Sequence, residues 1–204
     1  IMGFDLYGMN PKIGEVKRPE RPTDAVLYDS RDKGPRDEYF EKLEAYEDAT
    51  PGSYFRRNVW GWRPLWQFAC VIAEDILDDQ DEHSGGFNEG HEIDAEKAVA
   101  VADMLVGAIE DGRLDEYLET ERKELSEIPL RPCPRCTGSG WEPDSSIEDS
   151  KKFPGNPYPE GEDECVTCNG QGHMPAMATY YRFGVEDVQA FEIFCRESGG
   201  FEIC

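Results

Sequence analysis

Apolar residues recur three or four positions apart along five stretches of the chain, a spacing that places them on one face of a helix. Pro64 suits the first turn of the second helix, Asp94 is a suitable N-cap for the third, and Gly112 can end it. Each helix is therefore expected to bury one face in a common core. The five predicted helices span 36–48, 64–77, 94–112, 114–127 and 185–197.

Three of these helices carry most of the predicted core. In the second helix the buried side chains are expected to be Leu65, Phe68, Ala69, Ile72 and Ile76. In the third they are expected to be Ala98, Val101, Ala102, Leu105 and Ile109. In the fifth they are expected to be Val188, Phe191 and Phe194.

Short segments at both ends of the chain are typical of strands. Residues 2–8 and 201–204 are predicted strands, and so are the alternating segment 177–183 and the brief segment 25–28. Prolines and mixed charges predict a long loop over 10–36, and an acidic run followed by paired glycines predicts another over 74–86. We therefore predict an α+β fold with several helices and a small mixed sheet that contains both terminal strands.

The composition changes after the fourth predicted helix. Residues 128–175 are rich in Gly, Pro, Cys and acidic residues and contain few side chains that can form a core. This predicts a main α+β domain of residues 2–127 and 176–204, interrupted by an inserted module of residues 128–175.

Two Cys-x-x-Cys pairs lie within this module. Four thiolates from two such pairs surround one Zn²⁺ tetrahedrally and leave no open position for catalysis, so we expect one structural zinc ion. A redox dithiol is the alternative, although it normally needs only one pair near a helix start. The remaining cysteines, Cys70, Cys195 and Cys204, are expected to be free thiols. The predicted metal ligands are Cys133, Cys136, Cys165 and Cys168.

Each pair continues as Cys-x-Gly-x-Gly, over 136–140 and over 168–172. Glycines at these positions let the chain turn around a metal and direct amides at the sulfur atoms. The module resembles the zinc-binding repeats of DnaJ-type co-chaperones, in which paired CxxCxGxG motifs share a metal. The His-Pro-Asp tripeptide of a J-domain does not occur in the chain, so the resemblance does not imply a co-chaperone role.

The chain is strongly acidic, with 44 acidic against 21 basic residues and a formal net charge of −23. Residues 1–63 hold 12 acidic and 11 basic residues, whereas residues 64–204 hold 32 and 10. Such a charge disfavours binding to nucleic acid by phosphate neutralisation and binding to anionic membranes. The acidic part serves either solubility or docking on a basic protein, for example as a nucleic-acid mimic.

The chain is expected to fold and to be cytoplasmic. Its hydrophobic fraction is only 38%, but 11% of its residues are aromatic, too many for a disordered acidic tail. The longest uninterrupted apolar run is the six residues 68–73, which is too short to span a membrane, and the N-terminus lacks the pattern of a signal segment.

An unusual concentration of Arg and Trp occurs over residues 54–66, YFRRNVWGWRPLW. Guanidinium groups bind phosphate or carboxylate, and indole rings stack on bases, so this segment can bind a small anionic, nucleotide-like ligand. The alternative is that the tryptophans fill the core and the arginines pair with carboxylates. The candidate ligand residues in the segment are Arg56, Arg57, Asn58, Trp60, Trp62 and Arg63.

A second candidate segment, 87–93, reads FNEGHEI and places an amide, an imidazole and two carboxylates before a helix. Asn88 and His91 join the candidate ligand residues, although a solvated loop is the alternative. The chain has no Walker loop, GxSxG elbow, dinucleotide-binding glycine motif or kinase motif, so a non-enzymatic protein is favoured over an enzyme.

The segments MGFDLYG, YFRRNVWGWRPLW, GFNEGHEI and SGGFEIC together resemble a group of small, mostly uncharacterised proteins encoded by bacteriophages and prophages. The resemblance implies an accessory role in the bacterial cytoplasm, such as countering host defence. We therefore expect a non-enzymatic protein that sequesters a small anionic ligand or engages a host defence protein.

Two alternatives belong to other classes. The first is an acidic inhibitor that occupies a basic groove of a host enzyme. The second is a nucleotide hydrolase that uses His91 with Glu89 or Glu92. The sequence leaves self-association open.

Overall fold

Strands from the two ends of the chain pair in one sheet. In the computed structural model, which describes residues 3–29, 31–143 and 160–204, β1 (Gly3–Gly8) lies between β2 (Tyr54–Asn58) and β8 (Phe201–Ile203). The order is β2-β1-β8-β3, where β3 is His91–Ile93, and every pairing in this sheet is antiparallel. The predicted α+β fold, with both terminal strands in one sheet, is confirmed. The sheet is antiparallel throughout, whereas a mixed sheet was expected.

One face of this sheet is buried. Phe4 and Leu6 of β1 and Phe201 and Ile203 of β8 are buried at alternate positions, as the two-residue period of a strand requires. These residues pack with α3 (Val59–Ile72), α5 (Ala95–Glu110) and α7 (Val185–Glu197) in one hydrophobic core. Complete burial of an aromatic or aliphatic side chain contributes roughly 1.5–3 kcal/mol, so this core is the main source of stability here.

Four of the five predicted helices have nearly the predicted bounds. They are α2 (Gly34–Ala49), α5, α6 (Arg113–Glu127) and α7. Asp94 caps α5 by accepting a hydrogen bond from the amide of Lys97 at 2.8 Å, and Gly112 follows α5 with a φ of +84°. The predicted core residues of α7 are all buried, and those of α5 are buried except Ile109, which is half-buried.

The remaining predicted helix, α3, begins five residues earlier than expected, because Asn58 and not Pro64 marks its start. The Asn58 side chain accepts a hydrogen bond from the amide of Gly61 at 2.9 Å. Pro64 lies inside the helix and has no N–H to offer the carbonyl of Trp60. That carbonyl instead accepts a hydrogen bond from the amide of Arg182 at 3.1 Å, which offsets the loss.

Three predicted segments have a different structure. Residues 25–28 are not a strand but belong to α1 (Asp24–Leu27) and its C-cap, and the predicted strand over 177–183 is replaced by a 3₁₀ helix, Met177–Tyr180. The predicted acidic loop contains α4 (Asp79–Gly85), which starts with a capping box between Asp78 and Asp81. The capping box gives α4 a local start signal inside the acidic run.

The chain forms two compact units, residues 1–118 with 181–204 and residues 119–180. The boundaries lie inside α6 and just after the 3₁₀ helix, whereas the predicted module spans 128–175. The second unit contains two small antiparallel sheets, one of β4 (Arg131–Pro132) with β7 (His173–Met174) and one of β5 (Trp141–Pro143) with β6 (Glu160–Glu164). Among the described residues, no helix is long and apolar enough to cross a membrane.

Candidate metal centre and predicted ligand residues

The four predicted metal ligands meet at one point in the second unit. The Sγ atoms of Cys133, Cys136, Cys165 and Cys168 all lie within 4.8 Å of one another, and all four residues are buried. Cys133 and Cys165 are 3.9 Å apart at sulfur, and Cys136 and Cys168 are 3.7 Å apart. A tetrahedral ion with metal–sulfur bonds of about 2.3 Å separates its sulfur ligands by roughly 3.8 Å. The cluster therefore has the size and chemistry of a four-thiolate metal site.

The two knuckles have nearly the same backbone. Thr137 and Asn169, which follow the second cysteine of each pair, have φ values of +52° and +48°. A Cβ atom on Gly140 would lie 2.4 Å from the carbonyl oxygen of Gly170, and one on Gly172 would lie 2.4 Å from that of Gly138. Since real Cβ atoms do not approach an oxygen so closely, the last glycine of each motif is sterically required.

Backbone hydrogen bonds connect each knuckle to its own sulfur atoms and to the other knuckle. The amide of Gly140 donates to Cys136 Sγ at 3.3 Å, and the amide of Gly172 donates to Cys168 Sγ at 3.2 Å. The amide of Cys133 donates to the carbonyl of Gly172, and that of Cys165 to the carbonyl of Gly140, at 2.7 and 2.8 Å. These hydrogen bonds orient the sulfur atoms toward a common centre.

The environment separates the proton affinities of these thiols. Burial by itself would raise the pKa of Cys136, but hydrogen bonds from the amides of Gly140 and Gly138 outweigh it and lower this pKa to about 6. Burial raises the pKa of Cys168 to about 12. The thiols therefore lose their protons one after another as the pH rises. A metal ion has to displace the protons that the remaining thiols still carry.

The metal ligands also form the interior of the second unit. Among its described residues, the buried ones are the four cysteines, Gly140 and Gly172, and Met174 packs against the cluster while half-buried. An apolar core is therefore lacking in this part of the described chain. The cysteines outside the cluster belong to the first unit, where burial raises the pKa of Cys70 to about 12 and that of Cys195 well above its usual value.

The position of Trp62 contradicts the prediction that it is a ligand residue. It is fully buried, stacks on Trp66 with ring centroids 5.4 Å apart, and donates from Nε1 to the carbonyl of Gly85 at 2.8 Å. Phe191 contacts it edge-on at 5.3 Å. Its ring therefore belongs to the core and has no free face on which a base can stack.

The two neighbouring arginines of β2 point to opposite faces of the sheet, as successive residues of a strand do. Arg57 forms an ion pair with Asp187 of α7. Arg56 is on the other face, 59% exposed, with its Nε 3.5 Å from an oxygen of Asp5. Only Arg56 of this pair is presented to solvent with a weak partner.

The other candidates of the Arg/Trp segment lie at the start of α3. The Asn58 side chain is occupied as the helix cap, and Trp60 is half-buried with an edge-on contact to Tyr181 at 4.6 Å. Arg63 is exposed on α3. The predicted residues are therefore divided between the core, the helix cap and the surface.

Asn88 lies near Arg56 although the two are distant in sequence. The Asn88 side-chain amide donates to the carbonyl oxygen of Gly3 at 2.7 Å. A Cβ on Gly3 would lie 3.5 Å from Nε of Arg56. A guanidinium and a side-chain amide thus both lie close to Gly3 at the start of β1.

His91 lies in β3 and pairs with a carboxylate that sequence analysis missed. Its Nε2 is 2.9 Å from Oδ1 of Asp81, whose side chain is only 6% exposed, and Lys97 contacts the other oxygen of this carboxylate. Burial by itself would raise the pKa of Asp81, but the bonds from Lys97 and His91 lower it below its usual value. Glu92, the next residue of the strand, points to the opposite face. No sequence signal distinguishes Asp81 within the acidic run of 74–82.

Comparisons with protein-family models, with curated proteins and with solved structures found no match.

Proposed function

We propose that this protein binds one Zn²⁺ ion through Cys133, Cys136, Cys165 and Cys168 and that the ion is structural. The observation that carries the proposal is the interior of the second unit, in which the buried side chains of the described residues are the four thiols. Zinc is the expected ion because it prefers tetrahedral thiolate coordination and has no redox chemistry. With four protein ligands, no position is open for a substrate or a catalytic water.

The ion supplies the free energy that an apolar core supplies elsewhere. Ordering one residue costs roughly 1–2 kcal/mol of backbone entropy, which the second unit has little hydrophobic burial to offset. Binding of structural Zn²⁺ to small Cys-rich modules contributes about 10–16 kcal/mol near neutral pH. We therefore expect the second unit to fold only with its metal.

Metal content and cobalt spectroscopy test this proposal. The chain purified from cells is expected to contain one zinc per molecule by elemental analysis, and Co²⁺ reconstitution is expected to give the absorption of a tetrahedral thiolate complex. Cys165→Ala should lose the metal. Cys204→Ala, a half-exposed cysteine outside the cluster, is the control and should keep it. Zinc retained by Cys165→Ala, or a parent chain that is folded and metal-free, would contradict the proposal.

We further propose that the first unit binds a small anionic, nucleotide-like ligand at the start of β1. The observation in favour is that Arg56 and Asn88 both lie close to Gly3, and the guanidinium of Arg56 is exposed. An exposed guanidinium in a neutral part of an acidic chain attracts anions to one place. Sequestering such a ligand to counter host defence is the biological role proposed for this site.

Native mass spectrometry of protein from bacterial lysate, followed by titration with nucleotides, tests the ligand proposal. Arg56→Ala should weaken nucleotide binding at least about tenfold, as loss of a charge-assisted contact does. Arg113→Ala, an exposed arginine after α5, should not. If Arg56→Ala binds as well as the parent, the ligand proposal fails while the zinc proposal stands. The inhibitor and hydrolase alternatives and the bacteriophage relationship stay predictions.

A further inference from the structure

The region from residue 9 to residue 42 is electrically neutral and belongs to the nearly neutral N-terminal part of the chain. It contains eight acidic and eight basic residues, whereas residues 64–204 carry a net charge of −22. Like charge of that size opposes contact between copies of a protein. Two copies can therefore approach most easily through this region.

Half of the charged residues of this region form ion pairs within it. Arg21 lies 2.8 Å from Asp24, Arg36 lies 2.6 Å from Asp37, and Lys42 lies 2.6 Å from Glu38. A docking molecule therefore does not have to supply opposite charges. Recognition at such a surface depends on its apolar side chains.

Apolar side chains are unusually exposed on the two helices of this region. Tyr28, which follows α1, is 78% exposed, and Phe40 of α2 is 52% exposed. A groove of about 360 Å³ lies between them and is lined by Leu27, Tyr28, Arg36, Asp37 and Phe40. We call this surface the aromatic groove. Aromatic rings at a protein surface lose a large water-exposed area when they are covered, which makes them frequent anchors of interfaces.

We propose that the aromatic groove is a self-association surface and that its occupant is a second copy of this chain. In a two-fold interface the same patch faces itself, so Phe40 of each copy fills the groove of the other. A basic protein would be attracted to the acidic part of the chain instead and would gain nothing from a neutral apolar patch. The charge balance of residues 9–42 thus favours a second copy over an unlike, basic partner.

The proposal makes a specific prediction about salt. Contact between two copies brings together two chains of net charge −23, and salt screens their repulsion. The two charged residues that line the groove, Arg36 and Asp37, form an ion pair with each other, and the other lining residues are apolar or aromatic, so contacts across the groove depend little on salt. The dimer is therefore expected to become tighter as ionic strength rises, whereas association with a basic partner would become weaker.

Sedimentation velocity over a concentration series, with the full, metal-loaded chain, tests the proposal. The parent is expected to shift from monomer to dimer with concentration, and Phe40→Glu is expected to weaken the dimer by at least about tenfold, as the loss of an aromatic anchor does. Tyr28→Glu should have a similar effect. Phe87→Glu makes the same chemical change at another exposed aromatic residue, 43% exposed, and should dimerise like the parent.

Three results would overturn the proposal. The first is a parent that stays monomeric at every concentration, which would leave the groove to a different molecule. The second is a dimer that both groove variants leave unchanged. The third is a dimer that weakens as salt is added. Since Tyr28 and Phe40 are exposed, circular dichroism of their variants is expected to match the parent and checks that folding is unaffected.

Discussion

The two units of this chain offset the conformational entropy lost on folding by different chemistry. The first unit has a core of aromatic and aliphatic side chains in which Trp62, Phe68, Phe191, Phe194 and Phe201 are almost completely buried. The second has four buried thiols and two buried glycines among its described residues. Apolar burial is distributed over many residues, so the first unit tolerates the loss of one contact. A metal centre concentrates the stabilisation in a single site, so the second unit should not.

The largest expected effect is removal of the metal. Chelation, or Cys165→Ala, should remove roughly 10–16 kcal/mol of binding free energy and unfold the second unit while the first stays folded. Hydrogen exchange resolved along the chain measures this difference: protection should be lost over 119–143 and 160–180 and kept in β1 and α5. Equal loss in both units would show that the metal stabilises the whole chain.

Truncation of Trp62 tests the first unit, as removal of the metal tests the second. Trp62→Ala removes a completely buried ring and should destabilise the first unit by about 3–5 kcal/mol, as large-to-small core substitutions do. Urea unfolding, followed by far-ultraviolet circular dichroism, measures the change. The variant should still bind one metal ion, and loss of that ion would contradict the independence of the two centres.

A third prediction concerns acid. The pKa of Asp81 is below its unfolded value of 3.8, so its ion pairs contribute stability above that pH, and the contribution is lost as the pH falls through the folded value. Asp81→Asn should therefore cost about 2 kcal/mol at neutral pH. It should also reduce the acid sensitivity of the first unit, measured by hydrogen exchange of α4 and β3 as the pH is lowered from 5 to 2. An unchanged pH profile would mean that other carboxylates dominate.

The smallest expected effect is at a helix end. Asn58→Ala removes the side-chain acceptor for the amide of Gly61 and should cost the first unit about 1 kcal/mol. Asn58→Asp keeps an acceptor and should be nearly neutral in the same urea experiment. If both variants behave like the parent, α3 is held by its packing alone.

Elements with a strong local pattern were predictable. The apolar stripes of α5 and α7 and the cap at Asp94 depend on spacings of three or four residues, and the structure confirms them. The start of α3 was not predictable from local sequence. Pro64 cannot donate to the carbonyl of Trp60, and the amide of Arg182 donates to it instead. That bond joins residues more than a hundred positions apart, so a local sequence pattern cannot predict it.

The metal site could be predicted from local sequence, whereas the role of the Arg/Trp segment could not. The metal ligands could be identified from the sequence because each CxxCxGxG motif contains its own turn, its thiols and the amide that supports one of them. The Arg/Trp segment was ambiguous, because a strand sends Arg56 and Arg57 to opposite faces and packing decides which ring is covered. The burial of Trp62 and the contacts of Asp81 with His91 and Lys97 arise only when distant elements meet.

The sequence by itself thus determined the α+β class, the strands at the two ends of the chain and the four thiols that can hold a metal, since each depends on local periodicity or on residue types with a specific chemistry. Only the tertiary structure decided which aromatic rings fill the core, which arginine stays exposed and which carboxylate His91 contacts. These depend on long-range packing, in which a side chain's partner is set by the whole arrangement of elements and not by its neighbours in sequence.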